Sequence, residues 1–124
     1  MGIREFFSFQ TLKQKKEEQQ QYNAWAFPYG QQQCQQVNAL ILEMMPDEKK
    51  TGMAVYLMGR EAYQKSARKE NVCRVLGEYL PGKHKRKMYR FLALILADAR
   101  VDENLQYPTA EELLQQAKDL EGAV

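Results

Sequence analysis

The residues whose types and spacing most resemble a chemical site lie in one short stretch, GEYLPGKHKRK, residues 77–87. Gly77, Gly82 and Lys83 fit the G-x-x-x-x-G-K spacing of a phosphate-binding loop, in which backbone amides and a lysine cradle a nucleotide. Such a loop also needs a buried strand before it, small residues that leave the amides free, and Ser or Thr after the lysine to hold magnesium. VCRVL at 72–76 has a strand-like composition. The loop itself carries Glu78, Tyr79, Leu80 and Pro81, which are bulky, and proline has no amide proton to offer. His84 stands where Ser or Thr is required. ALILAD, ending at Asp98, imitates the acidic second motif, but it follows too soon for a crossover helix and a second strand. The match is a coincidence of spacing.

The same stretch has a better-founded electrostatic reading. No acid occurs between Glu78 and Asp98. On a helix starting near Lys83, the side chains of Lys83, Arg86, Lys87 and Arg90 fall at i, i+3, i+4 and i+7. They form one stripe, opposite a core face of Met88, Phe91, Leu92, Ile95 and Ala99. With the preceding helix and a short turn this is a helix–turn–helix outline, in which the cations neutralise phosphates and His84 and Tyr89 add contacts from the flanks. Bases in the first two turns oppose the helix dipole, so something outside the helix must offset them. A nucleic-acid phosphate would serve. So would the acidic segment 98–124, with seven acids against Arg100 and Lys118. A solvated or internally paired basic face is the commoner arrangement, which makes nucleic acid the second reading.

Other chemistry finds little support. The chain has one histidine, two serines and no H-E-x-x-H or G-x-S-x-G pattern. Cys34, Cys73 and His84 are three potential zinc ligands where a structural site needs four. Cys73 and His84 on adjoining helices would be a conceivable nucleophile and base, but Cys73 sits beside an apolar stripe, as a packed thiol does. DARVDEN at 98–104 shares only its acidity with a calcium loop, since Tyr107 and Leu113 occupy the required glycine and bidentate-acid positions. The expectation is a chain that is not an enzyme and uses no metal or cofactor.

The elements that would position any site are helical throughout, because i, i+3, i+4 spacing recurs and hairpin turns do not. Tyr22, Trp25, Ala26 and Tyr29 share one face before Pro28-Tyr29-Gly30 breaks the chain. Cys34, Val37, Ile41 and Met44 give the next stripe, widened by Leu40 and Met45, with the neighbouring glutamines on the solvent face. After Pro46, Asp47 suits an N-cap and Glu48 the helix dipole. A helix over about Glu48 to Ala67 follows, with Gly52 and Gly59 two turns apart on one face. That placement fits either close approach of a neighbour or weak helix punctuation. Val72, Val75, Leu76 and Tyr79 mark a short helix ended by Pro81-Gly82. A long one, Lys83 to Arg100, is apolar nearly all round from Phe91 and must be covered by the others. Thr109 and Glu112 form a capping box for the last helix, which buries Ala110, Leu113, Leu114 and Ala117.

The sum is an all-α, single compact domain of five or six helices around one long central helix, spanning 1–124, with residues 1–12 as a candidate separate arm. Its 124 residues suffice for one core. Composition is ordinary, 44% hydrophobic and 27% charged, and a net charge of +2 does not by itself demand a polyanion. The opening MGIREFFSF carries Glu5 and is too short for a signal h-region, and the longest apolar run, Phe91 to Ala97, is far short of a membrane span. A cytoplasmic chain with reduced cysteines, and no membrane partner, is expected. The functional expectation is a non-catalytic module binding another protein or itself, through Phe6, Phe7 and Phe9 of the arm or the aromatic corner around Trp25. The alternative is a nucleic-acid-binding protein using Lys83, Arg86, Lys87 and Arg90.

Overall fold

A computed structural model describes residues 24–123, together with Glu17 and Gln21. The arm residues Phe6, Phe7 and Phe9, and Tyr22, lie outside the described residues. Among the described residues the main elements are α1 (Gln31–Met44), α2 (Lys49–Lys65), α3 (Lys69–Tyr79), a 3-10 turn (Gly82–Lys87), α4 (Met88–Arg100) and α5 (Ala110–Ala123). No strand occurs among the described residues. The all-helical architecture expected from spacing is the one observed.

The chain enters through a helical turn at 24–26 and reverses at Pro28-Tyr29. Gly30 makes this reversal possible: its φ of 92° with ψ of −161° is open to glycine and strained for any side chain. Its amide bonds back to the Phe27 carbonyl at 2.9 Å. Phe27 and Ala26 then turn inward, and the Phe27 ring stacks on Tyr56 with centroids 6.5 Å apart. Tyr29, placed by spacing on the apolar face, is 45% exposed because the reversal swings it away.

The centre of the molecule is α4. Phe91 through Ile95 are all buried, consistent with a helix apolar on every side, and it packs against α2, α3 and α5. The 3-10 turn runs directly into it, so the long central helix exists as two segments of different pitch. At the start of α5 Thr109 and Glu112 pair: Glu112 donates its amide to Thr109 Oγ1 at 3.2 Å, the N-cap half of the box, and the hydroxyl donates to the Glu112 carboxylate. Asp47 does not cap α2. Glu48 holds the N-cap position, without a side-chain capping bond, because its carboxylate is engaged elsewhere.

Between close approach and weak punctuation, the two glycines of α2 serve close approach. A Cβ on Gly52 would stand 2.6 Å from Ile41 Cγ2 of α1. One on Gly59 would stand 2.6 Å from Ile95 Cδ1 of α4 and 2.7 Å from Leu76 Cδ2 of α3. Two fully buried side chains from two helices would both have to yield, in a core with little free space. Gly77 differs, since its nearest neighbour would be Met88 Sδ at 3.8 Å.

These distances separate two superficially identical substitutions. Gly59→Ala is expected to destabilise the fold by about 1–3 kcal/mol through overpacking. Gly77→Ala is expected to stabilise it by about 0.5–1 kcal/mol through helix propensity. Urea denaturation of both variants checks the opposite signs.

Candidate functional site

The basic stripe expected along the start of the central helix is rearranged by local geometry. Residues 82–87 turn at three residues per turn, so Lys83 and Arg86 stay aligned while Lys87 rotates off their line. Lys87 Nζ donates to the carbonyl of Met44, at the C-terminal end of α1, where a cation complements the helix dipole. Lys83 Nζ pairs with Glu48 Oε1, and His84 Nε2 lies 3.6 Å from Glu48 Oε2. The hydrogen bond from Lys83, with its charge, holds the Glu48 carboxyl below its ordinary 4.5, and the same bond raises the Lys83 ammonium. Arg90 is half-buried beside Glu43 and Glu111, in a hollow of about 200 Å³ between α1 and α5. Lys85 and Arg86 remain exposed.

The offset for this concentration of bases therefore comes from Glu48 and a helix C-terminus. No ion pair joins residues 83–90 to the acidic segment 98–124 among the described residues. His84, the imidazole spacing offered to Cys73, lies against Glu48 instead. Cys34 and Cys73 are unbridged and half-buried, and burial, with Glu70 adding to it, pushes the Cys73 thiol up. That is the behaviour of a packed thiol rather than a nucleophile.

A second centre was not legible as such in the sequence. Asp98 on α4 is buried, its side chain wholly inaccessible, and three hydrogen-bond donors and a guanidinium converge on it. Gln33 Nε2 of α1 donates to Oδ1 at 2.8 Å. Tyr107 of the loop following α4 donates to the same oxygen, and Tyr56 of α2 donates to Oδ2. Arg60 Nη1 of α2 stands 2.9 Å from Oδ2, an ion pair by distance that approaches off the hydrogen-bond line. Oδ1 thus accepts two hydrogen bonds, and Oδ2 accepts one with the Arg60 charge beside it. Burial and the Asp98 charge push both phenols, Tyr56 and Tyr107, above their ordinary 10.0.

The supports of this centre extend outward. Gln33 Oε1 accepts the Tyr29 amide at 3.0 Å, tying the entry turn to the carboxylate. The Arg60 guanidinium lies 5.8 Å over the Trp25 ring, a cation–π distance. Tyr107 arrives through a tight loop in which Asp102 Oδ1 accepts the Asn104 amide and Leu105 takes a φ of 53°. A left-handed leucine costs on the order of 1–2 kcal/mol, and its buried side chain helps to hold it there. Gln33 corrects the expectation of a fully solvated glutamine face: Gln31, Gln32 and Gln35 are exposed, while Gln33 joins Val37, Ile41 and Met44 inside. The available signal was position, since Asp98 stands seven residues after Phe91 and three after Ile95, on the apolar stripe itself.

Trp25 is half-buried against the core, so it is in part a packing unit as well as a surface feature. With Glu61, Gln64 and Lys65 it borders a hollow of about 430 Å³. On the other side of Glu61 and Lys65 a groove of about 530 Å³ runs between α2 and α3. Met58, Ala62, Val75 and Tyr79 give it apolar lining, and Tyr79 is half exposed. Glu61–Lys65 on one wall and Arg74–Glu78 on the other are paired within their own helices.

Removing the buried charge should expose how much rests on it. Asp98→Asn leaves Arg60 uncompensated and is expected to cost about 3–5 kcal/mol; Tyr107→Phe, which deletes one bond to a charged acceptor, about 1.5–3 kcal/mol. Because the folded state raises both phenols, their contribution is complete below pH 10 and is lost as pH rises through the folded values. Stability should therefore fall more steeply above pH 10 in the native chain than in Tyr56→Phe or Tyr107→Phe, as urea midpoints at pH 8 and 11 would show. No protein-family model, curated protein or solved structure matches the chain.

Proposed function

We propose that this domain is a non-catalytic interaction module that binds another protein, or a second copy of itself, across the C-terminal half of α2. The observation that carries this reading is the pair of hollows on either side of Glu61 and Lys65, one bordered by Trp25 and the other by Met58, Val75 and the half-exposed Tyr79. An apolar floor, aromatic side chains and a charged rim are the anatomy of protein-recognition surfaces, in which Trp and Tyr are enriched among the energetic anchors. The rim charges are already satisfied by partners on their own helices. A partner can desolvate the floor without leaving an unmatched charge.

A second reading, nucleic-acid binding by the basic turn, is favoured by the exposure of Lys85 and Arg86 on a turn without acids.

A photo-crosslinking amino acid placed at Tyr79 tests the first reading in cells. A discrete adduct is expected at Tyr79, absent when the crosslinker stands at exposed Gln115 of α5, and lost when Met58→Lys places a charge in the groove. Adducts of equal yield at both sites, or none at Tyr79, would remove the groove from consideration.

A further inference from the structure

We infer that the nucleic-acid surface is composite: Lys49 and Lys50, at the start of α2, belong to the same phosphate-binding face as Lys83, Lys85 and Arg86. This rests on the second reading above and extends it to residues far away in sequence. The connection is Glu48. It immediately precedes Lys49, and its carboxylate holds Lys83 through one oxygen and faces His84 through the other. Lys87, bonded to the Met44 carbonyl, fixes the opposite end of the basic turn to the corner between α1 and α2. Thirty-odd residues of chain separate the two basic segments, and these contacts set them side by side. All five cations are exposed, with Lys83 retaining 67% of its side-chain surface despite its pair.

Charge decides the kind of partner. Asp47 and Glu48 are the acids at this corner, and Glu48 is committed to Lys83, leaving an excess of positive charge on a surface drawn from two segments. Two other helices show the opposite pattern: α3 begins with Glu70, and α5 with Glu111 and Glu112, the acids that helix dipoles favour, while α1 begins with neutral glutamines. Where α2, the 3-10 turn and α4 begin, no acid stands in the first turn. Four exposed lysines and one arginine drawn from two segments match the repeating charge of a nucleic-acid backbone, where each contact releases condensed counterions. An anionic membrane surface fits less well. The large hydrophobic side chains exposed among the described residues are Tyr29, Leu42 and Tyr79, none of them in 47–50 or 82–87, so this face has nothing of that kind to insert among lipids.

The experiment is fluorescence anisotropy with labelled duplex DNA and a labelled RNA hairpin, at 50 and 200 mM salt, on the full chain. Three double variants remove the same charge: Lys85→Gln with Arg86→Gln, Lys49→Gln with Lys50→Gln, and Lys69→Gln with Lys118→Gln as a control on α3 and α5. The five substituted lysines and one arginine are exposed, so melting curves should be unchanged. The expected result is salt-sensitive binding that the first two variants each weaken by about tenfold, with a shallower salt dependence by roughly one to two counterions, while the control binds within about twofold of the native chain. Loss in the Lys85/Arg86 variant with native binding in Lys49/Lys50 would overturn the composite face and leave the basic turn as the site. Equal loss in all three variants would reduce the effect to net charge and overturn it too. No binding by the native chain at 50 mM salt would remove the nucleic-acid reading and this inference together. Capture by phosphatidylserine vesicles without binding to either nucleic acid would overturn it in favour of a lipid surface.

Discussion

A carboxylate wholly removed from water near the end of α4 sets the strictest requirement in this molecule. Burying an ionised group costs several kcal/mol after relaxation unless charge and hydrogen bonds replace its hydration. Asp98 meets that condition with hydrogen bonds from α1, α2 and the loop after α4, and with the Arg60 charge beside Oδ2. None of these segments can shift alone without uncovering part of the charge. The centre therefore acts less as a source of net stability than as a register mark: an apolar residue of similar size would pack there with no preference for where Gln33, Tyr56, Arg60 and Tyr107 stand. Its conformational specificity adds to the apolar anchoring of the entry turn by Ala26 and Phe27, and of the loop after α4 by Leu105, in holding both segments in defined positions.

Backbone features elsewhere follow from the same demand. Leu105 accepts a left-handed conformation so that Tyr107 can fold back over α4. Gly30 reverses the chain so that Gln33 faces inward and its amide oxygen can take the Tyr29 amide. Gly59 brings α2 close enough to α3 and α4 that Tyr56, one turn earlier, reaches the carboxylate. Arg60, next in chain, completes the charge balance and extends it to Trp25 at the surface. The buried centre and the hollow beside Trp25 are thus mechanically joined through one arginine.

The basic turn illustrates how a local electrostatic conflict is resolved at short range. Bases gathered at helix starts are unfavourable, and an acidic C-terminal segment offered an evident remedy. The fold uses nearer partners, because the corner at Pro46-Asp47 delivers Glu48 and the end of α1 to the turn. Lys87 is taken up by a carbonyl and Lys83 pairs with a carboxylate while keeping most of its surface, and Lys85 and Arg86 face solvent.

Helical content, the breaks at Pro28 and Pro46, the capping box at Thr109, the apolar stripe of α1 and the central place of the segment after Phe91 were all legible in sequence, since each depends on neighbours within a turn or two. The sequence also marked Gly52 and Gly59 as a pair without assigning a partner, and it grouped Asp98 with the acidic segment 98–124 rather than with the core. What a helix face meets across the core is not encoded locally. Whether residues 82–87 wind as α or 3-10 decides which way Lys87 points, and docking against α1 decided that. Whether Gln33 joins the solvated glutamines or the core depended on a carboxylate 65 residues away. Periodicity by itself determined which residues could be inside; only tertiary packing decided which polar groups had to be, because a buried charge takes its partners from wherever the fold brings donors within hydrogen-bond reach.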